Sequence, residues 1–545
     1  MTALGRGGLL ALFCATLVFY AVVMLPNHPA SVGWGLWRVF PLELPAIVLA
    51  LIALGGTVLA KPVRLLMVVV LTLMVILKSA DFVSYNALSR PFNPVSDFPL
   101  VEAFVRLLMG TLGAFLGSVA VVLAVLAIIA FGSLLWWATG VWARLGLSNS
   151  SRKFAGLAAV LATGWAVADV GHTMGRWNLG SSPPGVALTS RIAVERTLLM
   201  RKTVARLRAF REEVDRDPYA DRTGLLSAID RDVLIVFVES YGRTSFDTPF
   251  YADVHRKTLQ TYQTRLSGLG LSMYSGFLTS PTSGGQSWLA HATFSNGLWI
   301  DNQVSYAAAL SSGRQTLFHH ASRSGFRTAT VMPQITLEWP ESKTMGFERV
   351  LVSKDLGYRG PSFNWVTMPD QFTLSALDRL VRDGTDRRNL FAQVVLVSSH
   401  APWVPVPTFL PWDSVGDGRV FAHMAASGDA PEVVWRDRDR VRTQYRSAVD
   451  YALQTVFEYA VLHAADPPLI LVVGDHQAAQ FVALDNRPHV PIHVIGPQAL
   501  TSGLSQAAPY PGLLPPDDAA LMPMNAMRNL ILDAFSPKTN GLADK

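Results

Sequence analysis

The chain begins with runs of uncharged residues that are too long for ordinary loops, and they constrain what the rest can be. Gly7 to Asn27, Leu44 to Ala60, Leu107 to Ala143 and Phe154 to Ala168 contain no Asp, Glu, Lys or Arg. A helix crosses a bilayer core with roughly 20 apolar residues, so each could span, the last only just. A fifth run, Leu65 to Val83, carries Lys78 and Asp81 near one end. Three residues apart, these two share a helix face, where they could pair or reach the headgroups; interfacial anchoring is the expected role.

The first run could pass for a signal peptide, but further spans follow it, which predicts a retained anchor. If all five cross, Arg6, Lys61, Arg64, Arg144, Arg152 and Lys153 fall on one side. Arg38, Lys78, Arg90 and Arg106 fall on the other, mixed with Glu43, Asp81, Asp97 and Glu102. The purely basic side is expected to be cytoplasmic. An odd number of spans then sends everything after about Gly175 outside.

The formal net charge of +6 does not point to nucleic acid. No basic stripe interleaved with aromatics is present, and an exported domain rarely meets such a partner. Much of the excess lies in Arg191 to Arg216, a helical pattern dense in Arg that suits a linker or the membrane surface. The single cysteine, Cys14, lies inside the first span. No intramolecular disulfide is possible, so the exported part must stand on its own core.

Beyond the linker, apolar β-branched runs at Val233 to Val238, Thr328 to Met332, Val394 to Val397, Leu469 to Val473 and Ile492 to Ile495 predict buried strands. Helical patterns at Val254 to Leu266, Gln315 to Ser324, Gln371 to Val381 and Val441 to Ala464 separate them. This alternation predicts an α/β domain with a mostly parallel sheet covered by helices. Pro402 to Pro431 and Pro497 to Pro523 read as long surface loops.

Working residues of such sheets gather at the carboxyl ends of strands. Glu239 follows the first strand in DVLIVFVESYG, Asp475 and His476 follow another in LILVVGDHQ, and His400 follows a third in QVVLVSSHAPW. Two carboxylates, an imidazole and one more oxygen make a site for one divalent cation such as Mn²⁺ or Zn²⁺. The stretch LTSPTSGGQSWLAHATFSNG, Leu278 to Gly297, puts hydroxyls where a helix begins. A hydroxyl there could be the missing ligand and a nucleophile, with Ser287, Thr282 and Ser283 as candidates.

These residues resemble the alkaline phosphatase/sulfatase superfamily, and within it the five-span membrane enzymes that include lipoteichoic acid synthases, phosphoglycerol transferases and phosphoethanolamine transferases. The resemblance implies a transmembrane domain over residues 1–174, a juxtamembrane helical linker over 175–228 and a sulfatase-like catalytic domain over 229–545. It implies metal ligation by Glu239, Ser287, Asp475 and His476, with Ser287 as nucleophile in GGQSWLAHATFSNGLW. His400 matches a substrate-contacting histidine suited to electrostatic or general acid work. Trp339 falls where relatives contact substrate, and His489 and His493 resemble positions of a possible second metal site.

The implied activity is transfer of a phospho-headgroup, phosphoglycerol foremost, from a membrane phospholipid to a hydroxyl of a glycan, lipid or polymer outside a bacterial-type inner membrane. Phosphoethanolamine transfer and phosphodiester hydrolysis are the alternatives within the family, and a non-catalytic lipid- or glycan-binding scaffold is the alternative outside it. TSPTSGG lacks the Arg of a formylglycine motif, which argues against sulfatase activity. The family's phosphoethanolamine transferases usually carry disulfides, and this exported part has no cysteine.

Overall fold

A computed structural model describes residues 6–33, 35, 38–88, 90–181, 184–337 and 339–537. The chain forms two compact units, Met1–Asn86 with Arg90–Arg206, and Ala87–Ser89 with Leu207–Lys545.

The first unit is built from helices α1 (Arg6–Met24), α2 (Glu43–Leu54), α3 (Ala60–Leu88), α4 (Phe98–Ala143), α5 (Asn149–Thr173) and the start of α6 (Leu188–Val214). Among the described residues, α1, α3, the Leu112–Ala143 part of α4, and α5 are the 4 helices long and apolar enough to cross a membrane. A backbone break at Gly113 (φ 80°) separates that part of α4 from its first turns. The second expected span is shorter than its uncharged run. Its helix has 12 residues and ends at Gly55, followed by Gly56 with φ +71°. At about 1.5 Å per residue it rises roughly 18 Å.

Lys78 and Asp81 correct the sequence reading. Neither pairs with the other, and both are fully buried. The Lys78 ammonium donates to the carbonyls of Val22 and Val23 and to the Thr189 hydroxyl, at 3.2, 3.0 and 2.8 Å. Asp81 accepts from Arg196 (Nη2 at 2.8 Å), from Asn27 and from the backbone N–H of Phe92. A buried charge is tolerated when paired and hydrogen-bonded, and α6 supplies those partners. Arg196 is therefore committed inside the unit and does not face headgroups.

The second unit centres on a 9-stranded sheet. Its strands are β1 (Val233–Val238), β2 (Ser272–Thr279), β3 (Arg327–Met332), β4 (Arg349–Val352), β5 (Leu390–Leu396), β6 (Leu469–Gly474), β7 (His489–Gly496), β8 (Tyr510–Pro511) and β9 (Leu521–Pro523). The order is β4-β3-β5-β1-β6-β7-β2-β8, with β9 on β2. From β4 to β6 every pairing is parallel; β7 runs antiparallel to both β6 and β2. The central strands β1, β5 and β6 are buried along their whole length, as a sheet covered on both faces requires. Helices Pro249–Gly268 and Arg438–Leu462 pack together, joined by the bonds from Thr258 to Asp450 and from Tyr262 to Glu458.

The two segments read as surface loops also differ from expectation. Trp403, Val404, Val415 and Phe421 are buried in the main core, and Trp403 stacks on Trp435 with ring centres 5.7 Å apart. In the other segment Leu500, Leu504 and Leu513 are buried, and the segment supplies β8 and β9. Proline and glycine mark irregular backbone here, while the aromatic and aliphatic residues between them still fill the core.

Candidate active site

Parallel register puts the site together. Val238 of β1 lies opposite Leu396 of β5 and Gly474 of β6, so the residues that follow all three strands meet at one edge. Glu239 and Asp475 are the next residues after β1 and β6. The chain turns sharply at Ser240 (φ +58°), and a Cβ on Gly474 would lie 1.9 Å from the Tyr241 carbonyl oxygen. Only glycine allows the two turns to approach this closely.

Glu239, Asp475 and His476 offer ligand atoms that all lie within 4.8 Å of one another, and all three residues are buried. Glu239 Oε1 faces His476 Nε2 at 3.0 Å. Asp475 Oδ1 accepts from the backbone N–H groups of Ser240 (2.9 Å) and His476 (2.6 Å), while Oδ2 is buried without a partner. His476 Nδ1 meets the Gln477 carbonyl at 3.0 Å, which orients the ring so that Nε2 faces the carboxylates. Buried acceptors that converge with one oxygen left orphaned suit a divalent cation. The residues present therefore fit one.

Electrostatics agrees with a site that wants positive charge. Burial opposes ionisation of Glu239, yet the attraction of His476 and then of His400 outweighs it and holds the carboxyl below its usual range. Asp475 is pushed well up, by burial and then by Glu239. Burial also works against charge on His476, but Asp475 and Glu239 raise it to about 9.

Ser287 is the first residue of the helix Ser287–Asn296 and donates its hydroxyl to Glu239 Oε2 at 2.8 Å. The turn before it needs left-handed backbone at Gly284 (φ +75°) and at Gln286 (φ +65°), and Gln286 makes no side-chain cap. The first N–H groups of such a helix favour an anion. The rival hydroxyls donate elsewhere, Thr282 to the Gly285 carbonyl at 2.6 Å and Ser283 to that of Gln477 at 3.5 Å, as does Ser280 to that of Asp475 at 2.6 Å.

His400 is half-buried beyond the end of β5, with Nδ1 2.6 Å from the Ala401 carbonyl, and it is one of the groups that hold the Glu239 carboxyl low. Its turn is fixed by two residues the sequence reading passed over. The Ser399 hydroxyl donates to the Glu239 carbonyl at 2.6 Å, and Asp370 Oδ1 accepts from the N–H groups of Val397 and Ser398. His291 was also passed over. It lies one helical turn after Ser287, packs against Phe237 with ring centres 4.2 Å apart and planes tilted by 42°, and burial lowers its pKa to about 4. The i, i+4 spacing in SWLAH was the available signal.

Three expected residues are not brought to the cluster. Trp339 begins the short turn Pro340–Thr344 beside Tyr306, which packs with Leu289 of the Ser287 helix. Among the described residues, no hydrogen bond or ring contact joins Trp339 to Glu239, Ser287, Asp475 or His476. His493 is a core residue of β7: Nδ1 meets the Ser275 hydroxyl at 2.7 Å and Nε2 that of Tyr241 at 3.0 Å. Burial lowers its pKa to about 3. His489 is half-buried on the same strand with Nδ1 unpartnered, and burial lowers its pKa too. Both nitrogens of His493 are thus held by hydroxyls, and among the described residues neither His489 nor His493 joins a group with metal-ligand spacing.

No protein-family profile matches the chain, and no curated protein matches it in sequence. Solved structures similar to it include the lipoteichoic acid synthase LtaP from Listeria monocytogenes, at 12% identity over 61% of this chain and 79% of that one, TM-score 0.38. The Streptococcus pyogenes phosphoglycerol transferase GacH, solved in complex with sn-glycerol-1-phosphate, is 11% identical over 61% and 80%, TM-score 0.35. The C-terminal periplasmic domain of the phosphoethanolamine transferase EptC from Campylobacter jejuni is 11% identical over 56% and 89%, TM-score 0.37.

Proposed function

We propose that the chain is a membrane-anchored phospho-group transferase that moves a lipid headgroup, phosphoglycerol foremost, to an acceptor hydroxyl through a phosphoester on Ser287. The observation that carries this reading is the hydrogen bond from Ser287 to Glu239 at the mouth of a helix, beside a buried cluster of metal-ligand character. Glu239, Asp475, His476 and Ser287 would hold one Mn²⁺ or Zn²⁺. Such a cation supplies positive charge that favours ionisation of the serine hydroxyl and offsets the charge on the phosphate.

The protein's own groups account for the rest. Glu239 Oε2 accepts the Ser287 hydroxyl proton, which leaves the Oγ lone pairs free for phosphorus. In the first step Oγ bonds to phosphorus as its proton passes to Glu239 Oε2, the bond to the diacylglycerol oxygen breaks, and His400 gives that oxygen a proton. N–H groups at the helix mouth bind a phosphate oxygen. In the second step the acceptor hydroxyl bonds to phosphorus and gives its proton to His400, the bond from phosphorus to Oγ breaks, and Oγ takes its proton back from Glu239. The cluster lies in the unit that follows the spans, and we place it outside the cytoplasmic membrane, where a lipid donor and an envelope acceptor meet.

The reading is tested with headgroup-labelled phosphatidylglycerol and phosphatidylethanolamine, each with and without a glycan acceptor. Label moving from phosphatidylglycerol to the acceptor supports it. Label released only as water-soluble glycerophosphate, unchanged by acceptor, would make the chain a hydrolase.

A further inference from the structure

The first unit contains a cavity of about 490 Å³ that neither the spans nor the proposed chemistry accounts for. Ligand pockets run from about 300 to 1,000 Å³. Its walls are apolar, with Met67, Val70 and Met74 of α3 facing Val167 of α5. Along α3 the lining extends from Leu66 to Met74, a rise of about 12 Å at 1.5 Å per residue. These walls belong to helices long and apolar enough to cross a membrane.

One part of the lining is polar, where Glu43 meets Thr189 and Ser190. Glu43 is only 7% exposed. Its Oε1 accepts from the Ser190 N–H at 2.9 Å, but Oε2 is buried with no hydrogen-bond partner. Thr189 cannot serve it, because its hydroxyl donates to the Val23 carbonyl at 2.9 Å and accepts from Lys78. A carboxylate oxygen left open against an apolar cavity calls for a donor from a ligand. A phosphate oxygen, itself an anionic acceptor, cannot supply it.

We propose that this cavity binds one glycerolipid, its acyl chain along α3 and α5 and a hydroxyl or ammonium group of its polar end donating to Glu43 Oε2. Apolar walls take the chain, as any membrane groove would. The orphaned carboxylate adds selection for lipids that carry a donor. No part of this requires Ser287 to act, so the site goes beyond the transfer reading and is measured without turnover.

The test uses the full chain, delipidated in detergent and equilibrated with dioleoylphosphatidylglycerol, dioleoylphosphatidylethanolamine, dioleoylglycerol or dioleoylphosphatidylcholine, with bound lipid counted by native mass spectrometry. One of the first three should bind at one per chain at least about tenfold more tightly than phosphatidylcholine, whose head has no donor. Which one binds tells hydroxyl from ammonium. Glu43→Gln keeps an acceptor for Ser190 and should erase the preference; Ala46→Trp, on a lining residue of α2, should abolish retention. Equal binding of phosphatidylcholine by the wild-type chain would overturn the proposal whatever the variants do. So would a preference that survives Glu43→Gln, or full retention by Ala46→Trp.

Discussion

Ser287 and Glu239 are separated by two helices and a strand in sequence, yet the serine hydroxyl donates to the carboxylate across 2.8 Å. The bond links the mouth of a helix to the end of the central strand. It places a nucleophile candidate against the acid that also faces His476.

The cation site gives the first prediction. Asp475 Oδ1 is already held by two backbone N–H groups, while Oδ2 has no donor. Asp475→Asn keeps the shape and puts either an amide oxygen or an N–H group where that oxygen stands. Affinity for Mn²⁺ or Zn²⁺ should fall by at least about a hundredfold, since even outer partners of a metal site are worth 10–100-fold. Elemental analysis and equilibrium dialysis of wild type and variant measure this; wild type should hold about one ion per chain.

Acidity supplies the second. In the metal-free chain His476 is raised from 6.5 to about 9 and Asp475 is raised as well. A raised group stabilises the fold fully below its unfolded pKa, and that contribution is lost as pH rises through the folded value. Metal-free protein should therefore lose stability between about pH 6.5 and 9. Cation binding displaces the His476 proton, so affinity should rise over the same window. Thermal unfolding after chelation at pH 6 and at pH 9, repeated with Mn²⁺, reads both: a drop of a few degrees without metal, reversed with it.

Within the membrane unit, Asp81 and Arg196 are buried at 0% and 7% exposure and joined at 2.8 Å. Asp81→Ala strands a buried guanidinium and should cost about 3–5 kcal/mol. Asp81→Leu combined with Arg196→Met should recover much of that loss. Unfolding of the purified single and double variants decides it.

Topology is open to a direct check. The loop charges predict Arg144 to Lys153 on the cytoplasmic side and Glu239 outside. A periplasmic reporter fused after Arg216 should be active, and a cytoplasmic one silent. The 12-residue α2 makes the check informative, because an uncrossed α2 would reverse the result.

The sheet's central strands and the meeting of Glu239, Asp475, His476 and Ser287 were legible because each cue is local: an apolar run followed at once by an acid, or hydroxyls at a helix start. What was not legible depended on distant partners. Lys78 and Asp81 looked like surface charges since Thr189 and Arg196, which enclose them, lie on another helix. His493 looked like a ligand, but its nitrogens are taken by Ser275 and Tyr241 from two other segments. The same Ser275 and the neighbouring Gly276 break the apolar pattern of β2, which hid that strand. A Cβ on Gly276 would lie 2.4 Å from the Ala507 carbonyl oxygen, so glycine is required there.

The central claim is that Ser287 carries the phospho-group, and it is tested most directly by trapping. Wild-type protein incubated with headgroup-labelled phosphatidylglycerol and no acceptor should retain label on the peptide containing Ser287, located by mass spectrometry. Ser287→Ala should retain none and lose transfer by several orders of magnitude while staying folded, and Ser287→Thr should keep some of both. Undiminished transfer by Ser287→Ala, with no labelled peptide in either protein, would contradict the account.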